Sequence, residues 1–139
     1  DKLVAIVNQS HEFAGKSYID LTQLKNEQFI IFNRSEAIGL FDETIILCKQ
    51  AGFSPNIISQ PRHMQTLVTE VAASLGIAIA PNCVRKLYSE GCHFMDLDNV
   101  STQIPVQIQY KKNNNNATVN AFVNIALNAK DDIQHSMAN

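Results

Sequence analysis

The feature that most constrains the fold is a regular alternation of short strand-like runs with helical stretches between residues 29 and 80. Phe29, Ile30, Ile31 and Phe32 form a continuous apolar run, the mark of a strand covered on both faces. The polar turn Asn33, Arg34, Ser35 follows. Ile38, Phe41, Ile45 and Cys48 then recur at helical spacing, and Gly52 supplies a stop. Residues 56–59 read as a second strand after Pro55, and the next turn is Gln60, Pro61, Arg62, His63. Leu67, Val68, Val71, Ala72 and Leu75 share one face of a second helix, with Gly76 as its cap. Residues 77–80 (IAIA) form a third strand, closed by Pro81. Strands joined by short turns and crossover helices make a parallel sheet flanked by helices. Right-handed crossovers put the first of these strands in the middle. Ligands of such sheets gather beyond the carboxyl ends of the strands, beside the point where strand order reverses.

The flanks are less regular. Residues 3–7 (LVAIV) form a short buried strand, and residues 21–25 a short helix capped by Asp20 or Thr22. Asn82 is a good N-cap for a short helix over residues 83–88, which Gly91 ends. Val106, Ile108 and Tyr110 alternate with glutamines as in a half-buried strand. The last residue of the polar run 113–116 caps a helix whose stripe is Val119, Phe122, Val123 and Ala126. The tail, 131–139, is polar and expected to fray.

Composition excludes several classes. The chain has 139 residues, 45% of them hydrophobic, 17% charged, and a net charge of -2. That suits a globular core and argues against disorder and against a basic nucleic-acid-binding surface. No window matches the roughly 18 apolar residues of a membrane span. There is no charged-then-apolar leader, and the opening Asp1 suggests a piece of a longer protein. Cys48, Cys83 and Cys92 are odd in number and lack CxxC spacing, which points to reduced thiols in the cytoplasm.

Catalytic constellations are missing from the pattern. His11, His63, His93 and His135 are scattered without zinc spacing, and neither Ser35 nor Ser59 sits in GxSxG. Cys48 falls on an apolar helix stripe. Asp42 and Glu43 read as first-turn residues that favour the helix dipole. Lys111 and Lys112 read as a solvated pair. No enzyme, cofactor or metal is expected. The candidate site is the pair of turns, where two helix starts offer unpaired N–H groups to a carboxylate or phosphate. Arg34 and Arg62 would add charge-assisted contacts. The alternative is that both turns are merely solvated polar loops.

Four blocks in register resemble the effector-binding domain of LysR-type transcriptional regulators. They are Ser10-His11 with Ala14; Leu24 with residues 27–32; residues 51–55 (AGFSP); and residues 67–81 (LVTEVAASLGIAIAP). The resemblance runs from about residue 3 to about 127. It implies an α/β, periplasmic-binding-protein-like (type 2) lobe with a central parallel sheet flanked by helices, plus part of a second lobe. Residues 1–9 would be a hinge strand of the first lobe and 10–105 the complete second lobe. Residues 106–130 would be a hinge strand and closing helix of the first lobe, and 131–139 a flexible tail. The implied function is sensing of a small, anionic organic effector. Transcription would be regulated through a winged helix-turn-helix outside this sequence. The effector-binding residues carried over are Asn33, Arg34, Ser35, Gln60, Pro61, Arg62, His63 and Met64, with Asn8 and Gln9 as hinge residues beside the cleft. The family pairs copies through this lobe's first helix and edge strand, here 38–51 and 56–59. The family usually has glycine where Ser74 stands. The rival of another class is a periplasmic solute-binding protein of a transporter with the same fold.

Overall fold

The computed structural model describes residues 1–113 and 115–138. Asn114, within the polar run, and Asn139, the end of the tail, lie outside the described residues.

Six strands line up side by side. They are β1 (Leu3–Asn8), β2 (Tyr18–Ile19), β3 (Gln28–Ile30), β4 (Asn56–Ser59), β5 (Ala78–Pro81) and β6 (Cys92–Leu97). Four of them form one sheet in the order β2-β6-β1-β5, and β3 pairs with β4 in parallel. A parallel bridge between Phe29 and Ile77 joins the two sets. There Ile30 N donates to Ile77 O at 2.8 Å and Ile77 N to Gln28 O at 2.8 Å. The spatial order is therefore β4-β3-β5-β1-β6-β2, with β3 between the strands before and after it in the alternation.

Helix α1 (Ile38–Gln50) and helix α2 (Met64–Ala72) are the crossovers, and they cover opposite faces. Leu47 and Cys48 of α1 share a core with Ala5, Val7, Phe29, Ile31 and Ile79. Leu67, Val68 and Val71 of α2 share the other with Val4, Ile6, Ile30, Ala78 and Ala80. Alternate residues of β1 enter alternate cores, as the pleat requires.

Several expectations need correction. The sheet is mixed, because β1 runs antiparallel to both β5 and β6. The opening run, expected as a hinge strand of the first lobe, lies within this lobe's sheet, where its unbroken apolar sequence is buried on both sides. Strand β6 was not anticipated: His93 and Asp96 interrupt its apolar alternation, yet Phe94 faces one core and Met95 the other. The stripe on α1 is rotated. Leu40, Thr44, Leu47 and Cys48 are buried, while Ile38 is 56% exposed. Asp42 and Glu43 stand beyond the first turn of α1. Ser74, not Gly76, takes the left-handed position that ends α2, with φ 61°. Leu75 lies past that end, 52% exposed.

The second half of the chain departs further. Residues 106–110 form no strand, and Val106, Ile108 and Tyr110 are exposed. A strand exists only through its ladder partner, and residues 106–110 have none among the described residues. Helix α3 (Ala117–Asn128) is capped as expected: Asn116 Oδ1 accepts from Thr118 N at 2.9 Å. Only Val123 of its stripe is buried, and Phe122 is 62% exposed. The tail, expected to fray, is helix α4 (Lys130–Ala138). It is held to the 3-10 helix Asn82–Lys86, where Asn82 Nδ2 donates to Met137 O at 2.9 Å and Lys86 Nζ to Ser136 Oγ at 2.6 Å.

Candidate functional site

The two turns after β3 and β4 lie together because their strands are parallel neighbours. Ile31 N donates to Ser59 O at 3.1 Å, and one step further Asn33 N donates to Pro61 O at 2.9 Å. Asn33 Nδ2 reaches Gln60 O at 3.4 Å. The side chain of Asn33 also closes its own turn: Oδ1 accepts from Ser35 N at 2.9 Å and Ser35 Oγ at 2.7 Å. This is the local hydrogen-bond competition that makes Asn and Ser turn residues.

Both arginines are occupied. Arg34 makes a two-pronged contact with Asp42 on α1, at 2.8 and 3.0 Å. Arg62 holds Glu36 at 2.7 Å, tying the second turn to the first. Hydrogen bonding from Arg34 lowers the pKa of the Asp42 carboxyl, and Arg62 does the same for Glu36. Asp42 therefore serves as a partner for Arg34, not as a first-turn dipole residue. These exposed pairs fix the shape of the turns and give little net stability.

Beside the joined turns is a cavity of about 530 Å³. Its apolar wall includes Phe32, Leu40, Met64, Pro81 and Ile104, and Glu43 is the charged side chain that lines it. Ala37 and Gly39 bring the start of α1 to it, and Met64 brings the start of α2. Neither helix start has a side-chain cap. Their first N–H groups and positive dipole ends thus face one recess at the carboxyl ends of the parallel strands. The far wall is residues 102–105, anchored to the chain start: Lys2 bridges Gln103, and Ile104 N donates to Asp1 O at 2.7 Å.

Of the residues singled out in the sequence, Met64 lines this cavity. Asn33, Ser35, Gln60 and Pro61 build its shoulder. Arg34, Arg62 and His63 are exposed around it. Asn8 and Gln9 are not beside the cleft. Because β1 is antiparallel to β5, with Leu3 opposite Pro81 and Ile6 opposite Ala78, its far end lies at the opposite pole of the sheet. The β1 residue nearest the cleft is Lys2. Residues 102–105 were missed because nothing local marks a segment whose only role is to cross a strand end. Pro81 and Phe32 were detectable, as the last residues of strands already recognised.

Comparisons with known proteins agree with this geometry. The family model described as the LysR substrate binding domain matches residues 1–131. This chain belongs to that family. The transcriptional regulator AlsR of Bacillus subtilis is 26% identical over 123 residues, covering 88% of this chain and 41% of AlsR. TtuA of Agrobacterium vitis, another such regulator, is 32% identical over 88 residues, covering 63% of this chain and 29% of TtuA. The chain thus spans well under half the length of these relatives. Among solved structures, the effector binding domain of QuiR in complex with shikimate superposes with a TM-score of 0.63 at 19% identity. That match covers 73% of this chain and 47% of the other. An OxyR mutant from Corynebacterium glutamicum gives a TM-score of 0.68 at 16% identity, covering 99% of this chain and 42% of the other. These likenesses establish the fold, including the LysR-type lobe with its cleft at the strand ends. Among the described residues, no group of side chains is arranged to hold a metal ion, and no helix is long and apolar enough to cross a membrane.

Proposed function

We propose that this chain is the second lobe, with part of the first, of the effector-sensing domain of a LysR-type transcriptional regulator. The observation that carries this reading is one recess at the carboxyl ends of β3, β4 and β5 that receives two helix starts without side-chain caps. A small organic acid fits it. The carboxylate meets the N–H groups of α1 and α2, and the apolar body lies on Phe32, Leu40 and Met64. Glu43 favours a ligand that also carries a hydroxyl or amine donor. Arg34 and Arg62, engaged with Asp42 and Glu36, act as scaffolding of the turns. They are not the charge that recognises the ligand.

In this reading residues up to about 105 form the sensing lobe and 106–138 belong with the first lobe. DNA is bound by a winged helix-turn-helix elsewhere in the regulator, in the cytoplasm, and no reaction is catalysed. Copies pair through α1 and the edge strand β4, where Ile38, Ile46 and Ile58 are exposed. The effector acts by favouring one lobe arrangement over another, which requires different affinities for the two.

The test is a thermal-shift screen of small hydroxy and amino acids on the full-length regulator. A ligand at about a hundredfold its Kd stabilises the folded state by about 2.7 kcal/mol. A hit should be lost in Met64→Asp and retained in Arg34→Ala. No hit across acids of this class, with DNA binding intact, would overturn the assignment of the cleft.

A further inference from the structure

A second recess, of about 500 Å³, lies at the opposite pole of the sheet, where β1 ends and β3 and β5 begin. It is within the size range of small-molecule sites. Its polar lining comes from Asn8, Ser10, His11, Asn26, Glu27 and Gln28. Its floor depends on Gly76. A Cβ there would stand 2.6 Å from Gln28 O, so only glycine lets this backbone lie flat on β3.

The charge in this recess follows from one imidazole. His11 Nδ1 accepts from Phe13 N at 3.3 Å, which places the ring proton on Nε2. Nε2 faces Glu27 Oε2 at 3.4 Å. In this geometry the ring is neutral, since a second ring proton would oppose the Phe13 N–H. Lys16 lies over the Phe13 ring, 4.8 Å from its centroid, and is not part of the recess. Glu27 is therefore the one formal charge lining it. Around that carboxylate stand the amide oxygens of Asn26 and Gln28 and the hydroxyl of Ser10. Such a donor set favours cations and disfavours anions.

We propose that this recess is a binding site for a small organic cation, an alkylammonium or guanidinium compound, with Glu27 as its counter-ion. His11 is a positioning residue: it holds the Glu27 carboxylate while leaving it charged. The site is on the far side of the sheet from the cleft, so its test is independent of the effector reading.

The experiment is an NMR titration of the 15N-labelled 139-residue chain with n-propylammonium and methylguanidinium chlorides, against sodium n-butyrate as the matched anion. Saturable shifts are expected for the side-chain amides of Asn8, Asn26 and Gln28 and the backbone amides of Ser10 and Gly76, with both cations. Butyrate should leave these signals unmoved. Glu27→Gln should lower cation affinity by about tenfold or more, with an unchanged spectrum elsewhere proving the fold. His11→Asn, which retains an acceptor for Phe13 N–H, should weaken binding less. Equal response to butyrate, full affinity in Glu27→Gln, or no saturation at roughly 10 mM would overturn the proposal.

Discussion

At the scale of single residues, the end of α2 is under strain that one substitution can relieve. Leu75 N donates to Glu70 O at 3.1 Å and Ser74 N to Val71 O at 2.9 Å, a helix ending that needs a left-handed residue. Ser74 fills it at a cost of about 1 kcal/mol relative to glycine. Ser74→Gly should therefore raise the urea midpoint by a free energy of about that size, and a lowered midpoint would refute the strain. Gly76→Ala should act in the opposite direction. Its new methyl group meets backbone, not a side chain that can turn away, so a loss of about 2 kcal/mol is expected in the same assay. Cys48 gives the pH prediction. Burial pushes its thiol from 9.0 up to about 11. The folded chain thus holds this proton more tightly than the unfolded chain. The resulting stability is complete below pH 9 and is lost as pH climbs to about 11. Cys48 should resist alkylation at pH 8 until the protein unfolds, which mass spectrometry of labelled peptides will report.

At the scale of elements, the crossover helices were legible because each has a single face to bury. Leu67, Val68 and Val71 stood out as one stripe, and all three are buried. Leu67→Ala should cost about 2–5 kcal/mol by denaturant unfolding, since it opens a cavity between α2 and the sheet. Helix α1 was harder to orient. Its sequence is apolar on more than one side, so periodicity located the helix without choosing between Ile38 and Leu40. Strand β6 escaped notice for the opposite reason: its polar residues hide an alternation that becomes visible only once β1 is seen alongside it. The run at 106–110 carried the alternation of a strand and did not form one. Pattern states a preference, and pairing decides whether it is realised.

At the scale of the whole molecule, the lobe up to about residue 105 is dense and the remainder is lightly attached. Exposed Lys111 and Lys112 precede an α3 whose Phe122, Ile125 and Leu127 face solvent. Limited trypsin digestion should cut first after one of these lysines and leave a lobe that still melts cooperatively. Early cleavage at Arg85 instead would contradict this picture. The sequence by itself determined the alternation of strands and helices, the middle place of the 29–32 strand, and the union of the Asn33 and Gln60 turns. These follow from local periodicity and the handedness of short crossovers. The tertiary structure alone decided three things. It set the direction of β1, which carries Asn8 and Gln9 away from the cleft. It engaged Arg34 and Arg62 with acidic neighbours before any ligand arrives. It also gathered two polar or apolar recesses from segments up to about seventy residues apart. Strand direction, ion pairing and cavities are properties of distant neighbours, and no window of sequence contains both sides of such a contact.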